Sequence, residues 1–193
     1  MIGVAVLGFG TVGSGVYEVL KVNADSIARK ASEELKVLSV LDLRDFPGNE
    51  VEKVLTHDYE DILNNDDIKI VAEVMGGVEP AFTFSKKALM KGKSVVTSNK
   101  AVVAAKGPEL MKIAKENNAN YLFEASCGGG IPIIRPLCVS LTADKINSVK
   151  GILNGTTNFI LTKMTEEGSS FEDALKTAQK LGYAEADPTA DVE

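Results

Sequence analysis

The chain has 193 residues and a formal net charge of −6, and its lysines and arginines are not gathered into a cluster. A chain of this length can bury one good hydrophobic core, enough for one complete domain and part of a second. The acidic balance argues against a nucleic-acid-binding surface, and no stretch is long and apolar enough to cross a bilayer.

The N-terminus and the cysteines indicate the compartment. The sequence starts without a cationic leader, so we expect a soluble cytoplasmic protein. Cys127 and Cys138 are the only cysteines, and their spacing suits neither a disulfide framework nor a zinc site. We therefore expect both thiols to be reduced.

The first predicted strand, residues 2–7, runs directly into glycines with the spacing G-x-G-x-x-G. Gly8 permits a tight turn, Gly10 leaves room for a pyrophosphate against the backbone, and Gly13 lets the next helix pack close to the sheet. The unpaired N–H groups of that helix face an anion. The pattern predicts a dinucleotide site, the alternative being a glycine turn that serves only packing. Its predicted residues are Gly8, Phe9, Gly10, Thr11, Val12 and Gly13.

Strand-like and helix-like runs alternate through the first 130 residues. The pattern predicts strands over 2–7, 35–41, 69–74, 94–97 and 121–124, and helices over 12–29, 59–64, 80–91 and 108–117. This alternation predicts a doubly wound parallel sheet, a Rossmann α/β fold, in a domain of residues 1–130.

The regular alternation of strands and helices ends after residue 130. Two prolines follow, then a predicted strand over 146–153 and two helical segments. The last helix, predicted over 171–181, opens on a capping-box pattern of Ser169 and Glu172 and ends before Gly182. Residues 131–193 thus predict the beginning of an α+β substrate or dimerisation domain. Because so short a segment with one strand cannot cover a sheet of its own, we expect a truncated chain.

Ligands of an open parallel sheet bind beyond the carboxyl ends of the strands, so the residues after each strand are candidates. After the second strand, Asp42 would accept a hydrogen bond from a ribose 2′-hydroxyl, whereas Arg44 would pair with a 2′-phosphate. The choice between NAD and NADP stays open, and two solvated loop charges are the alternative. Gly76, in a Gly-Gly turn, would lie beside the nicotinamide ribose or form a plain turn.

A polar cluster that includes Ser98 and Lys100 ends the strand 94–97. The ammonium of Lys100 would face the reactive end of a bound nucleotide, where a cation beside the substrate oxygen stabilises a developing alkoxide. The alternative is a surface lysine that begins a helix.

Glu124 precedes a glycine-rich loop that could wrap a hard cation with one carboxylate and several carbonyls. A competing hypothesis makes Cys127 the thiolate nucleophile of a semialdehyde dehydrogenase. That chemistry needs a base, and the only histidine, His57, is interpreted as an ordinary loop residue. The carboxylates of Glu185 and Asp191 in the tail could bind an amino-acid ammonium or be solvated charges.

Taken together, these stretches resemble homoserine dehydrogenase over the whole chain. The matching segments are 8–13, 73–77 with 79–81, 97–101, 124–126 with 128–132, 151–158 and 182–191. The resemblance implies an NAD(P)-dependent oxidoreductase of threonine and methionine biosynthesis that interconverts L-homoserine and L-aspartate 4-semialdehyde, as a homodimer when full-length.

The resemblance also implies roles for particular residues. Lys100 would lie near nicotinamide and substrate, Glu185 and Asp191 would bind homoserine, and Gly182 would lie against the cofactor. A sodium-like monovalent cation would be held by the Glu124 carboxylate and three carbonyls, those of Cys127, Gly129 and Ile131. In this light the thiol of Cys127 is not needed.

Two departures from the family pattern matter. The family continues past Asp191 into a helix with an aspartate and a proton-transferring lysine, so we expect this chain to be nearly inactive by itself. The family's cationic reader of the 2′-phosphate corresponds to Arg44 or is shifted to Leu43, so cofactor preference is not transferable. A nucleotide-binding module without catalysis is the alternative from a different class.

Overall fold

The computed structural model describes residues 1–151, 154–184 and 188–189, and the chain divides into two units, Met1–Cys127 and Gly128–Glu193. The described strands of the first unit are β1 (Ile2–Leu7), β2 (Leu35–Leu41), β3 (Leu55–Thr56), β4 (Ile68–Glu73), β5 (Ser94–Thr97) and β6 (Tyr121–Leu122). They form one parallel sheet in the order β3-β2-β1-β4-β5-β6. This confirms the predicted doubly wound α/β fold.

The helices of the first unit cover both faces of the sheet. They are α1 (Thr11–Val22), α2 (Ala24–Ala31), α3 (Tyr59–Leu63), α4 (Ala81–Met90) and α5 (Lys100–Glu116), with 3₁₀ turns at Glu50–Val54 and Glu124–Ser126. Side chains alternate along β1, so Leu7 joins a core with Leu89 and Leu110, while Val6 joins another with Val40. A strand buried on both faces explains why β1 is almost wholly apolar.

Three predictions for this unit were wrong in detail. The helix predicted over 12–29 is two helices that meet at Asn23, which ends α1 and precedes α2. The helix predicted to begin at Pro108 begins at Lys100 and carries Pro108 in its interior. The short strand β3 was missed, because two residues are too few to show an alternating pattern.

In the second unit, α6 (Gly155–Glu167) and α7 (Phe171–Lys180) follow a π-helical turn at Pro136–Ser140. Ile160 of α6 packs with small buried residues of α7. The N-cap of α7 is Ser170, whose hydroxyl accepts from the Asp173 amide at 3.2 Å, so the cap predicted at Ser169 was wrong by one residue. Residues 146–151 form no strand, and residues 152–153 of the strand predicted there lie outside the described residues.

In the part of the chain that the structure describes, none of the helices combines the length and the apolar character that spanning a membrane requires.

Candidate nucleotide-binding site

The glycine turn after β1 has the backbone geometry that its sequence predicts. Gly8 adopts a φ of +95°, in the left-handed region that favours glycine. A Cβ on Gly13 would lie 1.9 Å from the carbonyl oxygen of Gly8, so only glycine lets α1 approach the strand this closely. A Cβ on Gly10 would meet nothing within 4 Å, so Gly10 borders open space. The turn therefore leaves a concavity above the first turn of α1.

No side chain caps the N-terminus of α1. Gly10 is the N-cap and supplies no side-chain hydrogen bond, and the first turn has no acidic residue. The first N–H groups of a helix have no intrahelical partner, and the helix dipole makes this end attractive to anions. Thr11 and Val12 are exposed there. These features suit a phosphate group.

A cavity of about 590 Å³ opens beside this turn, at the carboxyl ends of β1, β2 and β4. We call it the strand-end cavity; residues 8–10, 41–44 and 74–76 line it, together with His57, Tyr59, Pro80 and Phe84. The rings of Tyr59 and Phe84 stack at 4.1 Å and give it an apolar wall. The strand order reverses between β1 and β4, which is where ligands of doubly wound sheets bind.

Asp42 and Arg44 form a fork at the end of β2. Each Asp42 carboxylate oxygen accepts two hydrogen bonds: Oδ1 from the Arg44 amide (3.0 Å) and Nε (2.9 Å), Oδ2 from Arg44 Nη2 (3.0 Å) and the Phe9 amide (2.7 Å). The bonds from Arg44, reinforced by the Phe9 amide, hold the pKa of Asp42 well below its ordinary value. The carboxylate thus ties the glycine turn to the segment that carries Arg44.

The guanidinium of Arg44 remains largely exposed, with 62% of its side chain accessible. Its Nη2 also donates to the Phe9 carbonyl at 3.2 Å, and its carbon lies 5.1 Å from the centre of the Phe46 ring. Its Nη1 makes no hydrogen bond within the described residues. The cation is held in place from one side while its other edge faces outward.

His57, interpreted from the sequence as an ordinary loop residue, lines the strand-end cavity. Its Nδ1 lies 2.6 Å from the Asp42 carbonyl oxygen and its Nε2 lies 3.1 Å from Oδ1 of Asp45. The Asp42 carbonyl, followed by the Asp45 carboxylate, raises the pKa of His57 above its ordinary value.

Glu73, the last residue of β4, is a site residue that sequence reasoning missed. Its side chain is fully buried and accepts from the Thr97 hydroxyl (2.6 Å), the Met75 amide (2.9 Å) and Asn99 Nδ2 (3.3 Å). Asn99 also donates to the Gly77 carbonyl at 2.7 Å. The buried carboxylate therefore joins the turn after β4 to the turn after β5. Its signal in the sequence was a carboxylate at the end of a mostly apolar strand, three residues before two glycines.

Lys100 and Ser98 lie where the sequence predicts them, at the carboxyl end of β5. Asn99 caps α5 by accepting from the amides of Ala101 (3.1 Å) and Val102 (3.2 Å), which fixes the start of the helix. Lys100 is the first residue of α5 and is exposed. The Ser98 amide donates to the Glu73 carbonyl at 3.3 Å. The Glu73 network thus positions the backbone that carries Lys100.

The remaining predicted residues fall in different places. Glu124 begins a 3₁₀ turn, and Cys127 is a partly buried free thiol whose sulfur lies 3.7 Å from the Ser126 hydroxyl. Gly129 adopts a φ of +59°, and Gly182, which follows α7, a φ of +78°. Ile131 is exposed. Glu185 and Asp191 lie outside the described residues.

Two observations bear on other chemistries. Both ring nitrogens of His57 face Asp42 and Asp45, so this histidine is not a base for Cys127. Within residues 1–151, 154–184 and 188–189, no cluster of three or more histidine, cysteine, aspartate or glutamate side chains could hold a metal ion.

The chain is similar to known proteins over its whole length. A family model described as the NAD binding domain of homoserine dehydrogenase matches residues 8–124, and one described as homoserine dehydrogenase matches residues 132–193. The homoserine dehydrogenase of Synechocystis sp. is 48% identical over 192 residues, which cover 98% of this chain and 44% of that protein. The Bacillus subtilis enzyme is 46% identical, with 98% and 45% covered. The chain thus spans less than half the length of these relatives.

Solved structures agree with this similarity. A homoserine dehydrogenase from Thiobacillus denitrificans matches with a TM-score of 0.90 and 45% identity, covering 100% of this chain and 45% of that chain. A hyperthermophilic archaeal homoserine dehydrogenase in complex with NADPH matches with a TM-score of 0.83 and 33% identity, covering 99% and 64%.

Proposed function

Because the chain belongs to the homoserine dehydrogenase family, we propose that it forms part of an NAD(P)-dependent oxidoreductase that interconverts L-homoserine and L-aspartate 4-semialdehyde. Residues 1–130 would bind the dinucleotide and residues 131–193 would begin the homoserine-binding domain. The observation that carries the proposal is the glycine turn, whose uncapped helix opens on the strand-end cavity at the switch point of the sheet.

The fit to a dinucleotide rests on backbone rather than on side chains. Open space at Gly10 and the uncapped amides at the start of α1 suit the pyrophosphate, and Gly8 and Gly76 contribute backbone without a side chain to the cavity lining. When bound, the nicotinamide supplies the hydride chemistry. The part of this chain is to bind the cofactor and to align the substrate beside it.

Lys100 is proposed to hold the substrate oxygen and to stabilise the negative charge that develops on it. The side-chain cap by Asn99 and the buried Glu73 support this role, because they fix the backbone from which Lys100 projects. Glu73 is a positioning residue in this scheme, since it acts through Thr97 and Asn99.

The preferred cofactor is proposed to be NADP(H). A carboxylate that reads a ribose 2′-hydroxyl needs a vacant acceptor position, and both oxygens of Asp42 already accept two hydrogen bonds. The outward edge of Arg44 is available to a 2′-phosphate, for which a fork-shaped cation is well suited. The archaeal relative whose structure contains NADPH supports this choice.

Further parts of the proposal follow from the resemblance. Glu185 and Asp191 would bind homoserine and Gly182 would lie against the cofactor. A sodium-like cation would be held by the Glu124 carboxylate and the carbonyls of Cys127, Gly129 and Ile131, which are the hard oxygen donors that such ions take. The full-length protein would be a cytoplasmic homodimer of threonine and methionine biosynthesis. Thermal unfolding in sodium against choline chloride tests the cation, because a bound ion raises the unfolding temperature.

A thiol-dependent semialdehyde dehydrogenase is not favoured. The family to which the chain belongs is a different one, and the only histidine is engaged by Asp42 and Asp45. Alkylation of Cys127 distinguishes the two chemistries. The rate of homoserine oxidation should survive a small adduct such as S-methyl, whereas a nucleophilic thiolate would lose all activity.

The decisive experiment compares Lys100→Ala with Lys112→Ala in the full-length enzyme. Lys112 is an exposed residue of the same helix, paired with Glu116 at 3.9 Å, and serves as the matched control. Losing an electrostatic stabiliser of the transition state should lower kcat by about a hundredfold or more. Nucleotide binding, followed by nicotinamide fluorescence, should be unchanged in both variants. Undiminished turnover in Lys100→Ala would remove Lys100 from the reaction.

A further inference from the structure

The ring of His57 bridges two acceptors of the segment that follows β2. Nδ1 faces the Asp42 carbonyl at 2.6 Å, and Nε2 faces the Asp45 carboxylate at 3.1 Å. A neutral imidazole has one N–H and can satisfy one of these acceptors, whereas the protonated ring donates to both. The geometry therefore suits the cationic form, and the raised pKa of His57 agrees with it.

The charges around His57 come from three directions. From the segment after β2, Asp42 and Asp45 face the ring, and Arg44 lines the same cavity. On its own segment, the Asp58 carboxylate accepts from the Glu60 amide of α3 at 2.9 Å. Also on α3, the Asp61 carboxylate accepts from the Thr56 hydroxyl at 2.6 Å. Residues 42–45 and His57 together thus carry one surplus negative charge when His57 is neutral and none when it is protonated.

We propose that His57 determines cofactor specificity through its protonation: the cationic ring favours a dinucleotide with a 2′-phosphate, so that preference for NADP(H) over NAD(H) grows as the pH falls. The inference rests on the proposed function, in which Arg44 reads the 2′-phosphate. Protonated His57 acts in two ways. It removes the surplus negative charge that repels the phosphate dianion, and it holds the Asp42–Asp45 segment so that Arg44 stays in place.

The effect is reciprocal. A 2′-phosphate that binds the cationic form more tightly must raise the pKa of His57 when it binds. A unit charge acting on a dianion across a partly solvated cavity changes the affinity by about fivefold to twentyfold at ordinary ionic strength. NAD(H), which lacks that phosphate, should show little of this dependence.

The experiment measures the Kd of NADP⁺ and of NAD⁺ for the chain between about pH 6.5 and pH 9, where the 2′-phosphate, with a second pKa of about 6, stays mostly dianionic. Two variants accompany the native chain. His57→Gln keeps a polar side chain without a charge, and His57→Lys carries a permanent one. Because His57 is the only histidine, a single imidazole resonance reports its pKa by NMR with and without each nucleotide.

The native chain should show a ratio of the two Kd values that changes about fivefold to twentyfold in favour of NADP⁺ on acidification. At every pH measured, His57→Gln should show the weaker preference for NADP⁺ and His57→Lys the stronger one. NADP⁺, unlike NAD⁺, should raise the pKa of His57.

A ratio that does not change with pH, or that changes equally in His57→Gln, would overturn the role of His57, because the pH dependence would then be absent or would come from another group. Failure of NADP⁺ and NAD⁺ alike to bind would instead refute the proposed function and this inference with it. The two failures are thus distinguishable.

Discussion

Gly13→Ala should loosen the contact between α1 and the sheet and weaken nucleotide binding. The new Cβ would lie 1.9 Å from the Gly8 carbonyl oxygen, 2.9 Å from the Gly8 carbonyl carbon and 3.3 Å from Cγ2 of Val74. Two of these atoms are backbone and cannot rotate away. Raising 1.9 Å to the 3.0 Å below which such contacts essentially never occur requires a displacement of 1.1 Å.

Helix propensity favours alanine at position 13, whereas the steric clash disfavours it. Alanine in a helix interior is favoured over glycine by about 1 kcal/mol. Overpacking against a rigid backbone costs about 1–3 kcal/mol, and here the neighbour cannot yield, so we expect a net destabilisation of about 1–2 kcal/mol. A displacement of the first turn by about 1 Å also breaks charge-assisted hydrogen bonds from its amides, each worth about 1.5–3 kcal/mol, so NADP⁺ affinity should fall more than tenfold.

Gly15→Ala is the matched control on the same helix. A Cβ there meets nothing within 4 Å, so the propensity term acts alone and should stabilise the chain by about 0.5–1 kcal/mol. Urea unfolding of the three proteins measures the stabilities, and nicotinamide fluorescence measures binding. If both variants were stabilised and bound nucleotide like the native chain, the close approach of α1 to the strand would not be what requires Gly13.

Three further predictions follow from single contacts. The Tyr121 hydroxyl is buried without a partner among the described residues, whereas the Tyr59 hydroxyl donates to the Phe84 carbonyl at 2.6 Å. In thermal unfolding, Tyr121→Phe should therefore stabilise the chain by about 1 kcal/mol and Tyr59→Phe should destabilise it by about as much. Glu73→Ala should cost about 3 kcal/mol or more in urea, because it leaves a cavity and three orphaned donors; Glu73→Gln, which keeps an acceptor, should cost less, and equal losses would contradict the network. Arg44→Ala should weaken NADP⁺ binding about tenfold and leave NAD⁺ binding unchanged or stronger, because Asp42 loses three hydrogen bonds and regains vacant acceptor positions. Lys21→Ala, which removes an exposed cation elsewhere, should change neither Kd.

Elements with a clear local pattern could be predicted from the sequence, and those that depend on tertiary contacts or on a cap could not. β2 and β5 have the predicted bounds because polar residues flank both strands. β3 escaped prediction because its two residues are held by pairing with β2, a tertiary contact with no local pattern. Pro108 was interpreted as a helix start, but the cap by Asn99 begins α5 earlier and the helix tolerates the proline inside.

Some residues of the candidate site could likewise be predicted from the sequence, and others could not. Gly8, Gly13 and Arg44 could be placed because a motif or a strand end marks them. The burial of Glu73 and the two-sided contacts of His57 depend on segments that are distant in sequence, so no local pattern reveals them. Whether Asp42 has an acceptor position left for a 2′-hydroxyl also depends on an amide that is distant in sequence, that of Phe9. Position along a strand is thus predictable, but the supply of hydrogen-bond partners is not.

The carboxylate of Glu73 has a consequence for local motion. Because it binds the Met75 amide, the Thr97 hydroxyl and Asn99 Nδ2 at once, neither of the two turns can open without breaking contacts of the other. Amide hydrogens that depend on this junction, such as those of Met75 and Val102, should exchange with solvent deuterium at a common rate, as members of one cooperative opening unit. The turn after β4, which lines the cavity, and the helix that carries Lys100 would then fluctuate together.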